Sequence, residues 1–391
     1  MQKPHRDAVW GFLAPISPLF VLAYFAWLAR RFKLIAESFL HDKATLYAFI
    51  GMIISGVLSA SRAPDPRDGF IVMWVLVIFI GMYALGRWGV EKPKAFVQAL
   101  VFGSGFLGIV VFIAYTMRLN IHIGSIPILV GLRRGNVLGM AANGLAALME
   151  AGVVGGIGLA IYRAEYRLHN IAASFLSLIG VFCTVSRGGM VAIAVSAALL
   201  LALSWKVWKR FLPYAVAVVL LVGVVVATWP NLDRRIVSIA QPEHHKVRLQ
   251  IYRGIVSMVA DHPLLGVGPG NFTTVFPQYQ LPEQEVWATT PHNIYFYVLT
   301  GWGLLGFTIF FGWIFLTVVV PLWRKFSPWR CIVFTMMLTF WSHVLFDDLF
   351  IAHIPILMGL VARPELDAAV DEETEGKRTE VGAEQGVPAT G

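Results

Sequence analysis

Long apolar runs separated by short polar clusters make up most of this chain. The runs cover residues 9 to 29, 44 to 61, 70 to 86, 96 to 117, 139 to 161, 169 to 184, 190 to 205, 211 to 229, 293 to 320, 331 to 346 and 349 to 362. A helix of about 20 apolar residues crosses the roughly 30 Å hydrocarbon core of a bilayer. None of the runs alternates apolar and polar residues as barrel strands do, so helices are the structure that satisfies their backbone groups in lipid. The pattern predicts an all-α, polytopic transmembrane bundle of about 11 to 12 spans.

The polar clusters alternate in charge. Arg30, Arg31, Lys33 and Lys43, then Arg87, Lys92 and Lys94, then Arg163 and Arg167, then Lys206, Lys209 and Arg210, then Arg324, Lys325 and Arg330 occupy every second connection. Basic loops mark the cytoplasmic side. The remaining connections, 62 to 69, 118 to 138, 185 to 189 and 230 to 292, then face outward. This parity places the N-terminus outside, whereas division of the first run into two short passes places it inside.

The connection from 230 to 292 is far longer than a turn requires, and long loops in compact proteins usually carry function. Lys246 to Ala260 reads as an amphipathic helix with Arg248, Tyr252, Ile255 and Val259 on one face, lying along the membrane surface. The chain divides into a membrane domain, residues 1–364, that includes this external loop, and a tail, 365–391, rich in Glu, Gly, Thr and Ala, which reads as disordered on the cytoplasmic face.

Composition agrees. Hydrophobic residues make up 57% of the chain and charged ones 14%, with a mean hydropathy of +0.69, which excludes an ordinary soluble domain. The net charge of +8 sits in loops where topology explains it, and no nucleic-acid-binding motif accompanies it. Cys183 and Cys331 lie within or beside apolar runs, so neither a disulfide framework nor a zinc site is expected. The first run, Val9 to Leu28, has no small-residue cleavage site, and insertion is expected to rely on the spans themselves.

Candidate chemistry gathers at the outward ends of the runs. In VSRGGMV, Ser186 is placed to cap a helix, and Arg187 beside two glycines leaves room for an anionic group. Arginine suits phosphate because its planar fork makes two hydrogen bonds and stays charged. A positive charge on an outward loop also opposes the topological preference. Arg248 stands on the loop helix, and His292 in PHNIYF stands at the mouth of a span, where a neutral imidazole can accept a proton from a sugar hydroxyl. Arg133, Arg134, Arg234, Arg235 and Arg253 add outward positive charge. Gly266, Gly268 and Gly270 read as turns rather than a dinucleotide loop, since no strand precedes them. Gly301, Gly303 and Gly306 read as close helix packing. Glu150 interrupts a span and must face the bundle interior, either in a packing hydrogen bond or near substrate. Asp347 and Asp348 read as a solvated outer turn, with sugar contact as the alternative.

These segments resemble a known family. RLQIYRGIVSMVADHPLLGVGPGNF followed by PHNIYFYVLTGWGLLG, preceded by VSRGG and LGMAANGLAALME, is similar in content and order to the O-antigen ligase, O-antigen polymerase and protein O-oligosaccharyltransferase superfamily, from about Arg133 to Gly306. The resemblance implies a membrane glycosyltransferase that uses an undecaprenyl-pyrophosphate-linked glycan donor, with no metal and no cofactor. Its functional arginines and histidine match Arg187, Arg248 and His292. A further substrate-binding set comprises Arg133, Arg134, Asn143, Tyr252, Arg253 and Asn293. Tyr252 stands where the family has tryptophan, and the proline expected before Asn143 is missing.

Within that family, the moderate external loop and the short chain favour transfer to lipid A-core at the periplasmic face of the bacterial inner membrane, with membrane lipids as the surroundings, and direct displacement with inversion is the expected mechanism. Polymerisation of glycan repeats is the alternative with the same donor. A polytopic transporter or flippase is the alternative from another class, disfavoured because no internal repeat is evident.

Overall fold

The computed structural model describes residues 6–14, 21–124, 126–131, 136–137, 140–162, 166–208, 246–282, 288–324, 326–349, 351, 353–363 and 366. The expected span at 211–229, nearly all of the tail, and Arg133, Arg134, Arg234 and Arg235 lie outside the described residues. The fold is an all-α polytopic membrane bundle. Its elements are α1 (Arg6–Leu13), α2 (Val21–Arg30), α3 (Phe32–His41), α4 (Lys43–Ala60), α5 (Pro66–Ala84), α6 (Pro93–Thr116), α7 (Ala142–Tyr162), α8 (Arg167–Thr184), α9 (Arg187–Leu203), α10 (Trp205–Trp208), α11 (Lys246–Asp261), α12 (Phe272–Val275), α13 (Ile294–Ile314), α14 (Val320–Arg324), α15 (Pro328–His343) and α16 (His353–Ala362).

Six of the described helical stretches are long and apolar enough to cross a membrane, namely Lys43–Ala60, Pro66–Gly89, Pro93–Thr116, Ala142–Tyr162, Arg167–Thr184 and Ile294–Arg324. Helix α7 is the axis of the bundle. It is apolar on all sides, nearly every residue from Leu145 to Ile161 is buried, and it packs against α6, α8, α9 and α15. Glycine permits that approach, since a Cβ at Gly152 would fall 2.2 Å from the Ser104 Cβ on α6. By contrast α4 and α5 turn Tyr47, Ile54, Ile71 and Trp74 outward, as lipid-facing helices do.

The first apolar run is divided into α1 and α2, with residues 15–20 outside the described set. Residues 32–41, read as a basic loop, form α3, whose Phe32, Leu34 and Leu40 are exposed in the manner of an interfacial helix. The connection after α6 contains an antiparallel sheet of β1 (Asn120–Ile123), β2 (Ile126–Val130) and β3 (Asn136–Val137). β-Branched residues on both sides of Gly124, at φ +60°, favour that hairpin over the irregular loop expected there.

Helix α13 is broken, not merely closely packed. Gly303 has φ 64° and ψ −170°, which interrupts the hydrogen-bond ladder. The segment after α11 fills the gap: Val267 N donates to Thr300 O at 2.8 Å, Leu304 N to Pro263 O at 2.7 Å and Leu305 N to Leu264 O at 3.1 Å. Ser59 on α4 donates to Gly301 O at 2.8 Å. Unpaired backbone groups at this depth are costly, so the inserted segment and the break need each other. Gly266, Gly268 and Gly270, all at positive φ, supply its turns. Asn271 ties the segment to the α4–α5 turn, accepting from Asp65 N and donating to Asp65 O, both at 2.8 Å.

Gly303→Ala tests this dependence. A Cβ there would lie 2.3 Å from Leu264 O, in a conformation almost confined to glycine, so the substitution should cost about 3 kcal/mol or more. Gly312→Ala, with nothing within 4 Å of its Cβ, should change stability by no more than about 1 kcal/mol. Thermal unfolding in detergent compares the two, and equal midpoints would refute the role given to the break.

Candidate functional site

One end of the bundle collects the polar side chains singled out in the sequence. They surround the turn between α15 and α16, residues 344–348. Ser186 caps α9, its Oγ accepting from Gly189 N at 3.2 Å, which places Arg187 in the first turn, half-buried. The preceding residue, Val185, holds φ at +56°, a strained conformation for a β-branched side chain. Ser186 Oγ also donates to Asn143 Oδ1 at 2.9 Å, and Asn143 Nδ2 donates to Asp347 Oδ2 at 2.6 Å. These contacts join the starts of α7 and α9 to the turn.

His292 closes the site from the other side. It is a second non-glycine residue in the left-handed region, at φ +50°, and such strain clusters at functional sites. Three neighbours hold it. Asn293 caps α13, accepting from Tyr295 N and Phe296 N at 2.9 and 3.2 Å, and donates to Leu345 O at 3.0 Å. Ile294 N donates to Val344 O at 3.0 Å. Thr290 Oγ1 lies 3.3 Å from His292 Nδ1, and Nε2 has no hydrogen-bond partner among the described residues.

Helix α11 supplies the third wall. Its buried face, Ile251, Ile255 and Met258, packs with Phe272, Val275 and Phe276 in a small apolar cluster of its own, while Leu249 and Val256 face outward. The Tyr252 hydroxyl reaches His292 O at 3.4 Å and Leu345 O at 3.3 Å, and its ring packs on Phe296 with centroids 4.9 Å apart. Arg248, one turn earlier and half-buried, acts electrostatically on both Tyr252 and His292.

The structure therefore gathers Arg187, Asn143, Arg248, Tyr252, His292 and Asn293 at one end, while Arg253 is exposed on α11. The amides of Asn143 and Asn293 are largely engaged within the protein. The room beside Arg187 that the two glycines offer is also occupied: a Cβ at Gly188 would lie 2.7 Å from His343 Cδ2, and one at Gly189 would lie 2.7 Å from Glu150 Oε1.

Two residues read as a solvated turn belong to the site. Asp347 and Asp348 are half-buried, and one donor atom from each lies within 4.8 Å of one from His292. Both Asp347 oxygens are acceptors, Oδ2 from Asn143 and Oδ1 from Asp348 N at 3.0 Å. Burial, and then the neighbouring Asp347 charge, push the Asp348 carboxyl up to about 7. Burial lowers the His292 imidazole below its usual value; Asp347 opposes this and Arg248 reinforces it. A neutral imidazole beside a carboxylate is equipped to accept a proton. Imidazole with two carboxylates is also a donor set of the kind that takes a divalent cation.

An apolar cavity of about 420 Å³ leads away from this cluster. Thr290 and Asp348 stand at its polar end, and Leu76 and Phe79 of α5, Tyr297 and Trp302 of α13 and Trp341 of α15 line its body.

A carboxyl whose folded-state pKa lies above its unfolded value stabilises the fold at low pH and loses that contribution as pH rises through the folded pKa. Thermal stability should therefore fall as pH rises from about 4, the ordinary carboxyl value, to about 7. Asp348→Asn should flatten that slope, and a variant as steep as wild type would contradict the assignment.

Comparison with known proteins adds an independent finding. No curated protein sequence matches the chain significantly. Residues 172–311 match a family model described as O-antigen ligase, a stretch that contains Arg187, Arg248, Tyr252, His292, Asn293 and the helix break at Gly303. The match supports a membrane glycosyltransferase of the ligase and polymerase type. Over residues 172–311 the chain is thus similar to the O-antigen ligase superfamily.

Proposed function

We propose that the chain transfers a glycan from undecaprenyl pyrophosphate to lipid A-core, at the periplasmic face of the inner membrane and without a metal ion. The observation that carries this reading is the junction of two environments. A half-buried histidine, with its pKa lowered and a carboxylate beside it, lies close to Asp348, which with Thr290 forms the polar end of an apolar cavity along α5 and α13. A polyprenyl pyrophosphate has the same division, a hydrocarbon chain and a doubly anionic head. Its first isoprene units occupy the cavity, and its head meets Arg187 and Arg248. Arg133, Arg134 and Arg253 belong to the wider glycan-binding surface, and Asn143 and Asn293 shape it.

In the proposed reaction the acceptor hydroxyl oxygen attacks the anomeric carbon from the face opposite the pyrophosphate. The new carbon–oxygen bond forms as the bond to the phosphate oxygen breaks, and configuration inverts. His292 Nε2 takes the hydroxyl proton. The electron pair departs with the pyrophosphate, whose growing charge Arg187 and Arg248 stabilise. Because the leaving group is already good, no carboxylic acid needs to protonate it.

The test uses purified full-length protein with an undecaprenyl-pyrophosphate-linked O-antigen and lipid A-core. Transfer should persist in EDTA, and His292→Ala, Arg187→Ala and Arg248→Ala should each lower it about a hundredfold or more. Activity abolished by EDTA and restored by a divalent cation would assign the His292, Asp347 and Asp348 cluster to metal instead. Donor chains that lengthen without acceptor would make the protein a polymerase, and a validated donor left unconsumed would contradict glycosyl transfer.

A further inference from the structure

Behind the site lies a connected set of buried polar groups that the proposed reaction does not use. Glu150, in the middle of α7, and His343, the last residue of α15, are fully buried. Glu150 Oε1 lies 2.6 Å from His343 Nδ1. His343 Nε2 lies 3.4 Å from Ser186 Oγ, the longest link of the set. From there the contacts already described run through Asn143 to Asp347, which faces His292.

Counting hydrogens gives this chain a direction. Asn143 Nδ2 donates to Asp347, so its Oδ1 is the atom turned to Ser186 and can only accept. The single Ser186 hydroxyl hydrogen goes there. Ser186 Oγ is then an acceptor toward its other two neighbours, Gly189 N and His343 Nε2. His343 must therefore carry hydrogen on Nε2. That holds for imidazolium beside glutamate and equally for neutral imidazole beside the protonated acid. In both cases the pair contains two protons and no net charge, a form suited to an apolar interior.

The sequence around Arg187 is fitted to this pair. Any side chain at position 188 or 189 would collide with the His343 ring or the Glu150 carboxylate, at 2.7 Å in each case. The two glycines of VSRGG thus let the start of α9 settle onto the pair, and Arg187 is carried on that same turn.

We propose that Glu150 and His343 are positioning residues that act through Ser186 and Asn143 to hold the Asp347 carboxylate against His292 and to seat the turn bearing Arg187. This rests on the reading of His292 as the proton acceptor in glycan transfer.

His343→Leu removes the donor to Ser186 while nearly preserving volume. His343→Gln restores an amide N–H at about the position of Nε2. In the transfer assay with full-length protein, His343→Leu should lower kcat by about ten- to a hundredfold with the donor KM within about threefold of wild type, and His343→Gln should recover most of the loss. In an Asp347→Asn background the same His343→Leu change should cost several-fold less than in wild type, because the Asp347 carboxylate has already been removed and only the seating of the Arg187 turn is left to lose. Thermal unfolding of each variant separates positioning from folding, and should His343→Leu fail to fold, Ser186→Ala and Ser186→Thr make the same comparison.

Equal activity of the leucine and glutamine variants would overturn the proposal, as would a His343→Leu cost undiminished by Asp347→Asn. A variant with a lowered melting temperature and unchanged kcat would do so as well. Wild-type turnover with an unimpaired His343→Leu would sink this inference alone, whereas no wild-type turnover of a validated donor would sink the proposed function and this inference with it.

Discussion

A carboxylate and an imidazole placed in the interior of an apolar bundle have no water to turn to, so each must find a protein partner or remain unsatisfied. Glu150 and His343 find each other, and much of the site end follows from that contact. It fixes where α15 meets α7, and it requires glycine at positions 188 and 189. It also sets the level at which α9 begins. The α15–α16 turn emerges directly above it, bringing Asp347 and Asp348 beside His292.

The second constraint is the broken α13. A continuous helix through Gly303 would draw Leu304 N, Leu305 N and Thr300 O into its own ladder and deprive Pro263 O, Leu264 O and Val267 N of the partners they now have. The insertion links α4, α11 and α13 into one unit. It also anchors α11, the amphipathic helix that carries Arg248 and Tyr252, at the same end as His292. Polar residues that come from separate parts of the chain are thus assembled by two local irregularities, a glycine pair and a helix break, within an otherwise regular bundle.

The apolar runs made the class of fold and most long helices legible in the sequence, because crossing lipid demands continuous hydrophobicity. The expectation that Arg187, Arg248 and His292 share one side of the membrane was legible through topology, whereas their position at one end of the bundle came from the fold. Other features had weaker signals. Interfacial α3 and the small sheet carry no membrane-length run. The break at Gly303 depends on partners some forty residues earlier in sequence, and a glycine in a span reads equally well as packing. Asp347 and Asp348 looked solvated because their neighbours, Asn143, Thr290 and His292, come from distant parts of the chain, which no local pattern reveals. His343 was passed over within its apolar run, although an ionisable residue in such a run is itself a signal. Glu150 was noticed, and only the fold decided between its two readings by giving it His343.

The central claim is that one lipid-linked pyrophosphate bridges the polar cluster and the apolar cavity, and direct observation tests it best. A cryo-electron microscopy map of the full-length protein in nanodiscs with undecaprenyl pyrophosphate should show the diphosphate within about 4 Å of the Arg187 and Arg248 guanidinium groups. The isoprenoid chain should enter between Leu76 and Tyr297. A diphosphate bound at the opposite end of the bundle, or a chain lying outside that cavity, would contradict the account.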